Sequence, residues 1–302
     1  MPRDLPRETQ RLRAALVAVI LAAGGFSGPA KADGASATRG AYLAAAAGCD
    51  QCHTDVKNGG RPYAGGRALE TRFGAVFAPN ITPDRETGIG RWGPADFERA
   101  MRWGIAPDDS HYLPAFPFPF YNRLTRNDLI DLKAFLDDLP AIRQINSTAP
   151  PSLFSAVQVR AVISIVDECF AGPWQLDATK DPVWSRGAYL VASVGRCGDC
   201  HTPRNWLGAR DPQRLLGGTV AGPGSKSVPN ITPDPKTGIG HWSEGDIINL
   251  LKDGQTPDFD FVGGAMAEIV KNTTRLDDAD RQAIAIYLRS LPAVRSLREG
   301  SE

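Results

Sequence analysis

The pentapeptide Cys49-Asp50-Gln51-Cys52-His53 is matched later in the chain by Cys197-Gly198-Asp199-Cys200-His201. Both read Cys-x-x-Cys-His, the attachment signature of c-type haem. In such a site two thiols add to the haem vinyl groups and the adjacent imidazole binds the iron. The sequence therefore predicts two covalently bound haems c. The predicted haem-binding residues are Cys49, Cys52, His53, Cys197, Cys200 and His201, with His53 and His201 as proximal iron ligands.

Two other uses of paired cysteines fit this sequence less well. A structural zinc site usually needs a second pair of cysteines or histidines at a defined spacing, but each motif has only its own adjacent histidine. A thioredoxin-like redox pair lies in a βαβ pattern, and no such pattern surrounds either motif. The surroundings of the motifs therefore favour haem.

The duplication extends well beyond the two motifs, which indicates an internal repeat. Four blocks recur, and the offset between copies grows from 147 residues at Arg39 to 152 at Leu139, so the halves differ by a few small insertions. We predict two homologous domains, residues 33–143 and 184–302, joined by a linker over 144–183. The recurring blocks are Arg39–Leu43 with Arg186–Leu190, Pro79–Asp84 with Pro229–Asp234, Thr87–Gly90 with Thr237–Gly240, and Leu139–Ala141 with Leu291–Ala293.

Each repeat is predicted to be mostly helical. Ala- and Leu-rich segments lead into the two motifs, a short capped helix lies further on, and a last helix shows one apolar face behind a capping residue. The predicted helices are 39–48 and 186–194 before the motifs, those between Pro94 and Gly104 and between Ser243 and Gly254, and two last helices. The last helices carry Leu129, Leu132, Leu136 and Leu139 after Thr125, and Ile284, Tyr287, Leu288 and Leu291 after Asp277.

A last helix that packs across the helix leading into the haem motif is the plan of class I cytochromes c, which both repeats resemble. The blocks 79–84 and 87–92, with their copies 229–234 and 237–242, resemble more closely the cytochrome subunits of bacterial membrane-associated alcohol and aldehyde dehydrogenases and related dihaem electron carriers. The resemblance covers the chain after residue 32 except the linker. It implies an all-α fold with two class I cytochrome c domains in tandem.

The start of the chain has the pattern of a secretory signal peptide. Basic residues from Arg3 to Arg13 precede an apolar run over 14–26, and Ala30-Lys31-Ala32 offers a cleavage site between small residues. The run is shorter than the roughly twenty residues that a membrane-spanning helix needs. We therefore predict that residues 1–32 are removed and that the protein is periplasmic, where c-type haem is attached, as the family resemblance implies.

The charge balance excludes one class of partner. The full chain has 34 basic side chains (lysine and arginine) and 34 acidic ones (aspartate and glutamate). Residues 1–32 contain more basic than acidic side chains. The predicted mature chain is therefore slightly acidic, and it has no basic arm or patch. Binding to nucleic acid is not expected.

The distal iron ligand is predicted to differ between the two repeats. In the second repeat, Met266 follows two glycines between the short helix and the last one, where class I cytochromes c present an axial methionine from a loop. We predict that Met266 ligates the iron bound by His201; the alternative is a methionine that fills the core.

In the first repeat the position equivalent to Met266 is Phe116, which cannot bind iron. His111 lies in the same segment, aligns with Phe261 and is the predicted substitute ligand; a surface histidine is the alternative. Met101 falls inside a predicted helix and is expected to be a core residue, and His241 belongs to the second repeat. The first iron is thus expected to be bound by two histidines or to keep an open position.

The Pro-Asn-Ile-Thr-Pro loops are expected to pass close to the haems, where backbone carbonyls can orient the proximal imidazoles. The side chains of Asn80, Asn230, Trp92 and Trp242 could donate to haem propionates, or could instead form turns and core. Cys169 has no cysteine left to pair with and is either a small buried residue or a thiolate ligand.

These observations and the resemblance together predict an exported dihaem cytochrome that relays single electrons from a periplasmic or membrane-associated dehydrogenase to a downstream cytochrome or terminal oxidase. Histidine–methionine ligation raises a haem potential, so electrons are expected to pass from the N-terminal haem to the C-terminal one. The alternative is a dihaem enzyme, peroxidase-like or thiosulfate-oxidising, that uses the first haem as its catalytic centre. The apolar part of the linker could pack between domains or contact the membrane or dehydrogenase.

Overall fold

The structure is a computed structural model that describes residues 34–71, 74–112, 115–146, 172–205, 209–220 and 227–296. The predicted signal peptide, Cys169 and residues 147–171 of the predicted linker lie outside the described residues. Within the described ranges, no helix combines the length and the apolar character that crossing a bilayer requires.

The first repeat is mostly helical, as predicted, and also contains a short β-ribbon. Its elements are α1 (Gly34–Ala47), α2 (Cys49–His53), β1 (Ala68–Thr71), β2 (Gly74–Phe77), α3 (Pro94–Trp103), α4 (Phe118–Tyr121) and α5 (Arg126–Asp138). The strands pair antiparallel, with Ala68 opposite Phe77. The all-α prediction did not include this ribbon, because strands of four residues are too short for an alternating pattern to stand out from a loop.

The second repeat contains helices at the corresponding places. They are α6 (Pro182–Tyr189) with a π-helical continuation (Leu190–Val194), α7 (Cys197–His201), α8 (Glu244–Asp253), α9 (Gly264–Thr273) and α10 (Asp278–Ser290). The π-helical turn reflects a difference in length, since Cys197 follows Arg186 by eleven positions whereas Cys49 follows Arg39 by ten. A π turn absorbs one extra residue without ending the helix.

Local capping explains where the later helices begin. The Thr125 hydroxyl accepts a hydrogen bond from the Asp128 N–H at the start of α5, and the Asp277 carboxylate accepts one from the Asp280 N–H at the start of α10. Ser243 forms a capping box with Asp246 at the start of α8. These contacts confirm the helix starts predicted from the sequence.

Two glycines allow the close helix crossings on which each repeat is built. Helix α1 packs against α5, and α6 packs against α10. A Cβ atom added to Gly40 would lie 1.9 Å from the carbonyl oxygen of Asp131, and one added to Gly187 would lie 1.9 Å from that of Ala283. Each crossing therefore brings two backbones into contact at a position where only glycine fits.

The two repeats also bind each other through an exchange of tyrosine side chains. The Tyr42 hydroxyl, on α1, donates to Asp280 over 2.7 Å at the start of α10. The equivalent Tyr189, on α6, donates to Asp128 at the start of α5. Buried apolar residues of both repeats form one contiguous core. The exchange places the beginning of each last helix against the motif-leading helix of the other repeat.

Candidate haem sites

Both Cys-x-x-Cys-His segments form a single helical turn that is held at the end of a longer helix. Gly48 (φ 69°) ends α1 and leads into α2, and Arg196 (φ 52°) leads in the same left-handed conformation into α7. All four motif cysteines are partly buried and none is in a disulfide. Each site thus presents two free thiols and an imidazole from one turn of chain, which is the donor set for covalent haem attachment.

The histidine ring of each motif is fixed by a backbone carbonyl. Nδ1 of His53 lies 2.8 Å from the carbonyl oxygen of Pro79, and Nδ1 of His201 lies 2.8 Å from that of Pro229. A carbonyl can only accept, so Nδ1 carries the proton in both rings and Nε2 is the nitrogen that can bind iron. The predicted contact between the Pro-Asn-Ile-Thr-Pro loops and the imidazoles is therefore present in both repeats.

Burial sets the protonation of the motif side chains. It lowers the pKa of both His53 and His201 from the usual value, because the charged ring loses its hydration. It raises the pKa of the Cys49 thiol to about 12 and that of Cys197 to about 11. The imidazoles are thus neutral, as iron ligation requires, and the two thiols stay protonated at neutral pH.

The asparagine side chains of the two loops hold the loops in place and keep no amide hydrogen to donate to a haem propionate. The Asn80 side-chain amide donates to Thr87 over 3.0 Å and to the Ile142 carbonyl over 2.7 Å. Asn230 donates in the same way to Thr237 and Val294, over 3.0 and 2.6 Å. With both amide hydrogens used, turn formation is the role these contacts support. Trp92 and Trp242 are half-buried and pack on the core.

The structure corrects the loop predicted around Met266, whereas ligation of the second iron by Met266 stays a prediction. We expected an axial methionine on a loop, but Met266 lies half-buried in the first turn of α9, which begins directly after Gly263. The glycines that indicated a loop instead form the start of this helix, where Gly264 adopts φ 59°. Helix formation here depends on tertiary contacts that a local sequence pattern does not contain.

The equivalent Phe116 of the first repeat lies in a bend just before α4 and is enclosed by aromatic rings. Its ring centre is 5.5 Å from that of Tyr112 and 5.7 Å from that of Tyr121. These edge and tilted contacts are the geometries that aromatic rings prefer. In the first repeat, an aromatic cluster therefore occupies the place where α9 begins in the second repeat.

The other candidate ligands, which are His111, Met101 and His241, differ in their burial. His111 is half-buried and forms a β-bridge with Ile105, and the aligned Phe261 forms the same bridge with Gln255 and is 64% exposed. Met101 is buried in α3, which confirms the expectation of a core residue. His241 is exposed. The matched bridges support the alignment of His111 with Phe261.

Sequence reasoning missed that the first motif is covered by the second repeat. The Gln51 amide donates to the Glu268 carbonyl over 2.6 Å and accepts from Asn272 over 3.2 Å, both on α9. Arg275 binds Asp50 at 2.9 Å. The helix that carries Met266 therefore also packs on the first haem motif. In the sequence, Gly48 is the residue that reflects this contact, because a Cβ atom at position 48 would lie 2.3 Å from the Asn272 side chain.

Two arginines that flank the second motif contact the first repeat. The Arg196 guanidinium carbon lies 5.6 Å from the ring centre of Tyr121, and that of Arg210 lies 4.2 Å from the ring centre of Phe120. Both aromatic residues belong to α4. Helix α4 therefore contacts an arginine that directly precedes the second motif and another that follows it, whereas α9 contacts the first motif itself.

Comparison with known proteins gives several close matches, although no protein-family model matches the chain. The chain is 42% identical over 262 residues to a dihaem cytochrome c-type protein of Cereibacter sphaeroides, covering 85% of this chain and 86% of that protein. It is 39% identical to the fructose dehydrogenase cytochrome subunit of Gluconobacter japonicus, and 37% identical to the cytochrome c subunit of the quinone alcohol dehydrogenase of Gluconacetobacter polyoxogenes. These two matches cover 88% and 87% of this chain but 54% and 57% of the relatives, so the chain spans a little over half of each dehydrogenase subunit.

Proposed function

The chain belongs to the family of dihaem c-type cytochromes and dehydrogenase cytochrome subunits, and from this we propose that it relays single electrons in the periplasm from a partner dehydrogenase to a downstream cytochrome or terminal oxidase. The relatives named as dehydrogenase subunits support the class of donor. The predicted signal peptide over 1–32 supports the periplasmic location.

The observation that carries this proposal is the repeated contact between a motif histidine and a proline carbonyl. It occurs at 2.8 Å in both repeats and leaves the same ring nitrogen, Nε2, for iron. A single such contact could reflect loop packing, but two at equivalent positions, each beside a pair of free thiols, match the needs of two haems c. The residues that would hold them are those of the two motifs.

Haem c, when bound, supplies an iron that changes between the ferrous and ferric states. The residues of this chain fix the geometry around it. The Pro79 and Pro229 carbonyls orient the imidazoles, and Asn80 and Asn230 tie those loops to Ile142 and Val294, just beyond the last helices. The orientation of each imidazole is therefore linked to the position of the last helix of its repeat.

We further propose that residues 33–143 and 184–302 are two class I cytochrome c domains with unequal distal sites. The matched glycine crossings at Gly40 and Gly187 and the matched carbonyl contacts support the tandem arrangement. Met266 in one repeat and Phe116 in the other make the second haem the stronger oxidant, so electrons run from the first to the second. A potential difference of about 100 mV favours that step by about 2.3 kcal/mol.

Intact-mass spectrometry of the full chain, produced in a host that attaches haem c, tests this proposal. We expect a mass that includes two haems, loss of one haem from the Cys49→Ala/Cys52→Ala variant, and uptake of two electrons per chain from dithionite. The matched control is Cys169→Ala, which should keep both haems because Cys169 lies outside the motifs. A wild-type chain with one haem or none would contradict the proposal.

A second candidate function is favoured by Phe116. Because the first repeat has no methionine at this position, its iron could stay open to a small molecule, as a peroxidase-like or thiosulfate-oxidising enzyme requires. Rapid binding of carbon monoxide to the reduced first haem would favour this enzyme. Two low-spin haems that do not bind carbon monoxide would favour the electron carrier.

A further inference from the structure

The loop that follows α8 forms the same turn as the loop that follows α3, but the two turns carry different side chains at their tips. In the first repeat the Asp109 N–H donates to the Ala106 carbonyl over 3.0 Å, and in the second the Phe259 N–H donates to the Thr256 carbonyl over 3.0 Å. Asp109 has φ 65° and Phe259 has φ 61°. Because the backbones match, the tip residues of the two repeats can be compared position by position.

Phe259 is an unfavourable residue for this position in two respects. Aspartate tolerates the left-handed conformation, as at Asp109, but a bulky side chain adopts it at an energetic cost. Phe259 is also 82% exposed, and Phe261, two positions later, is 64% exposed. Neither ring is buried in the core, so the stability of the fold does not account for them. Exposed aromatic side chains held together in this way are typical of a surface that contacts another molecule.

The first repeat satisfies the same tip within its own structure. Asp109 forms an ion pair with Arg99 of α3. The residue equivalent to Arg99 is Asn249 of α8, so both members of the ion pair are replaced in the second repeat. The replacement removes a contact within the repeat and leaves an aromatic ring that faces solvent. The difference between the two tips therefore concerns the outside of the molecule.

The exposed rings of the second repeat are framed by acidic side chains. Asp258 and Asp260 flank Phe259 and are both exposed, and residues 255–262 contain no lysine or arginine. An apolar surface with an acidic frame is complementary to a partner that has basic residues around an apolar patch. The same aspartates are repelled by the negative surface of an anionic membrane.

This surface lies next to the segment that carries the predicted distal ligand of the second haem. The Val262 N–H closes the loop by donating to the Gly254 carbonyl over 2.9 Å. Helix α9, which carries Met266, begins two residues after Val262. The second haem is the proposed stronger oxidant, so electrons leave the chain from this repeat.

We propose that the surface formed by Asp258, Phe259, Asp260 and Phe261 docks the electron acceptor, a soluble redox protein with basic residues around an apolar patch. This inference rests on the proposed function, because it requires electrons to leave from the second haem. The two rings supply the central contact area, and the aspartates steer the basic partner toward it.

Stopped-flow mixing of the reduced full chain, with both haems attached, and an oxidised lysine-rich monohaem cytochrome c tests the proposal. We expect Phe259→Asn to lower the second-order rate constant about tenfold, because a central aromatic contact is lost while asparagine tolerates the conformation of the turn. Asp258→Asn should lower the rate constant at low ionic strength and weaken its dependence on salt. Val56→Asn is the matched control, because Val56 is a 75% exposed apolar residue of the first repeat, and it should leave the rate constant unchanged.

A small oxidant separates docking from changes at the haems. Ferricyanide should oxidise the Phe259→Asn chain at the wild-type rate. Unchanged electron transfer from this variant to the cytochrome would overturn the inference alone, as would a wild-type chain that reduces ferricyanide but not the cytochrome. Wild-type binding to vesicles of phosphatidylcholine and phosphatidylglycerol that is lost in Phe259→Asn, with transfer to the cytochrome unchanged, would assign the rings to a membrane instead. A wild-type chain without two haems would overturn the proposed function and the inference with it.

Discussion

His111 and Phe261 occupy the same place in the two repeats, and their difference bears on the state of the first iron. Both residues form an isolated bridge that closes the loop after the short helix, His111 with Ile105 and Phe261 with Gln255. The loop is therefore built in the same way twice, and the change from phenylalanine to histidine is not required by its backbone. Ligation of the first iron by His111 stays a prediction.

Replacing His111 tests that prediction directly. We expect His111→Ala, in the full chain with both haems, to convert the first haem from low-spin to high-spin, because a strong sixth ligand is lost. The matched control is Phe261→Ala, which should leave the spectrum of the first haem unchanged. An unaltered low-spin spectrum in the histidine variant would dismiss His111 as a ligand.

At the scale of helices, each repeat depends on one crossing at a glycine. The carbonyl oxygens of Asp131 and Ala283 occupy the space that a side chain at Gly40 or Gly187 would need. Neither oxygen can move without separating two helices, since both belong to backbone inside α5 and α10.

We therefore expect Gly187→Ala to lower the free energy of unfolding by about 1–3 kcal/mol or more, even though alanine is the better helix former. Denaturant unfolding of the full chain measures this change. Gly245→Ala is the control, because Gly245 is an exposed glycine in α8 whose added Cβ would meet only Ser243, at 3.6 Å. It should stabilise the protein by about 0.5–1 kcal/mol. Equal effects of the two substitutions would contradict the role given to the crossing.

The helices that could be predicted are those whose signals lie within a few residues. Ser243 with Asp246, and Thr125 with Asp128, are caps that the sequence shows directly, and the structure confirms them. Helix α9 could not be predicted in this way, because Gly263 and Gly264 read locally as a loop. Its contact with Gln51, far away in sequence, and the ion pair of Arg275, just beyond the helix, with Asp50 are part of what holds it in place.

At the scale of the whole molecule, the sequence indicated two similar halves but not how they meet. Tyr42 and Tyr189 are visible as a repeated residue, yet their partners Asp280 and Asp128 belong to the opposite repeats. Gln51 and Glu268 are in contact although 217 residues separate them. Such pairs depend on the arrangement of the repeats and leave no periodic or local pattern. The first predicted haem motif is consequently part of the interface between the repeats, and Arg196, directly before the second motif, also contacts the other repeat.

Two inequivalent haems that form a directional relay must differ in reduction potential, and a redox titration of the wild-type chain measures that difference. We expect two separate one-electron transitions, with the haem of the His53 motif at the lower potential and that of the His201 motif at the higher. A single shared potential, or a first haem that titrates above the second, would contradict it.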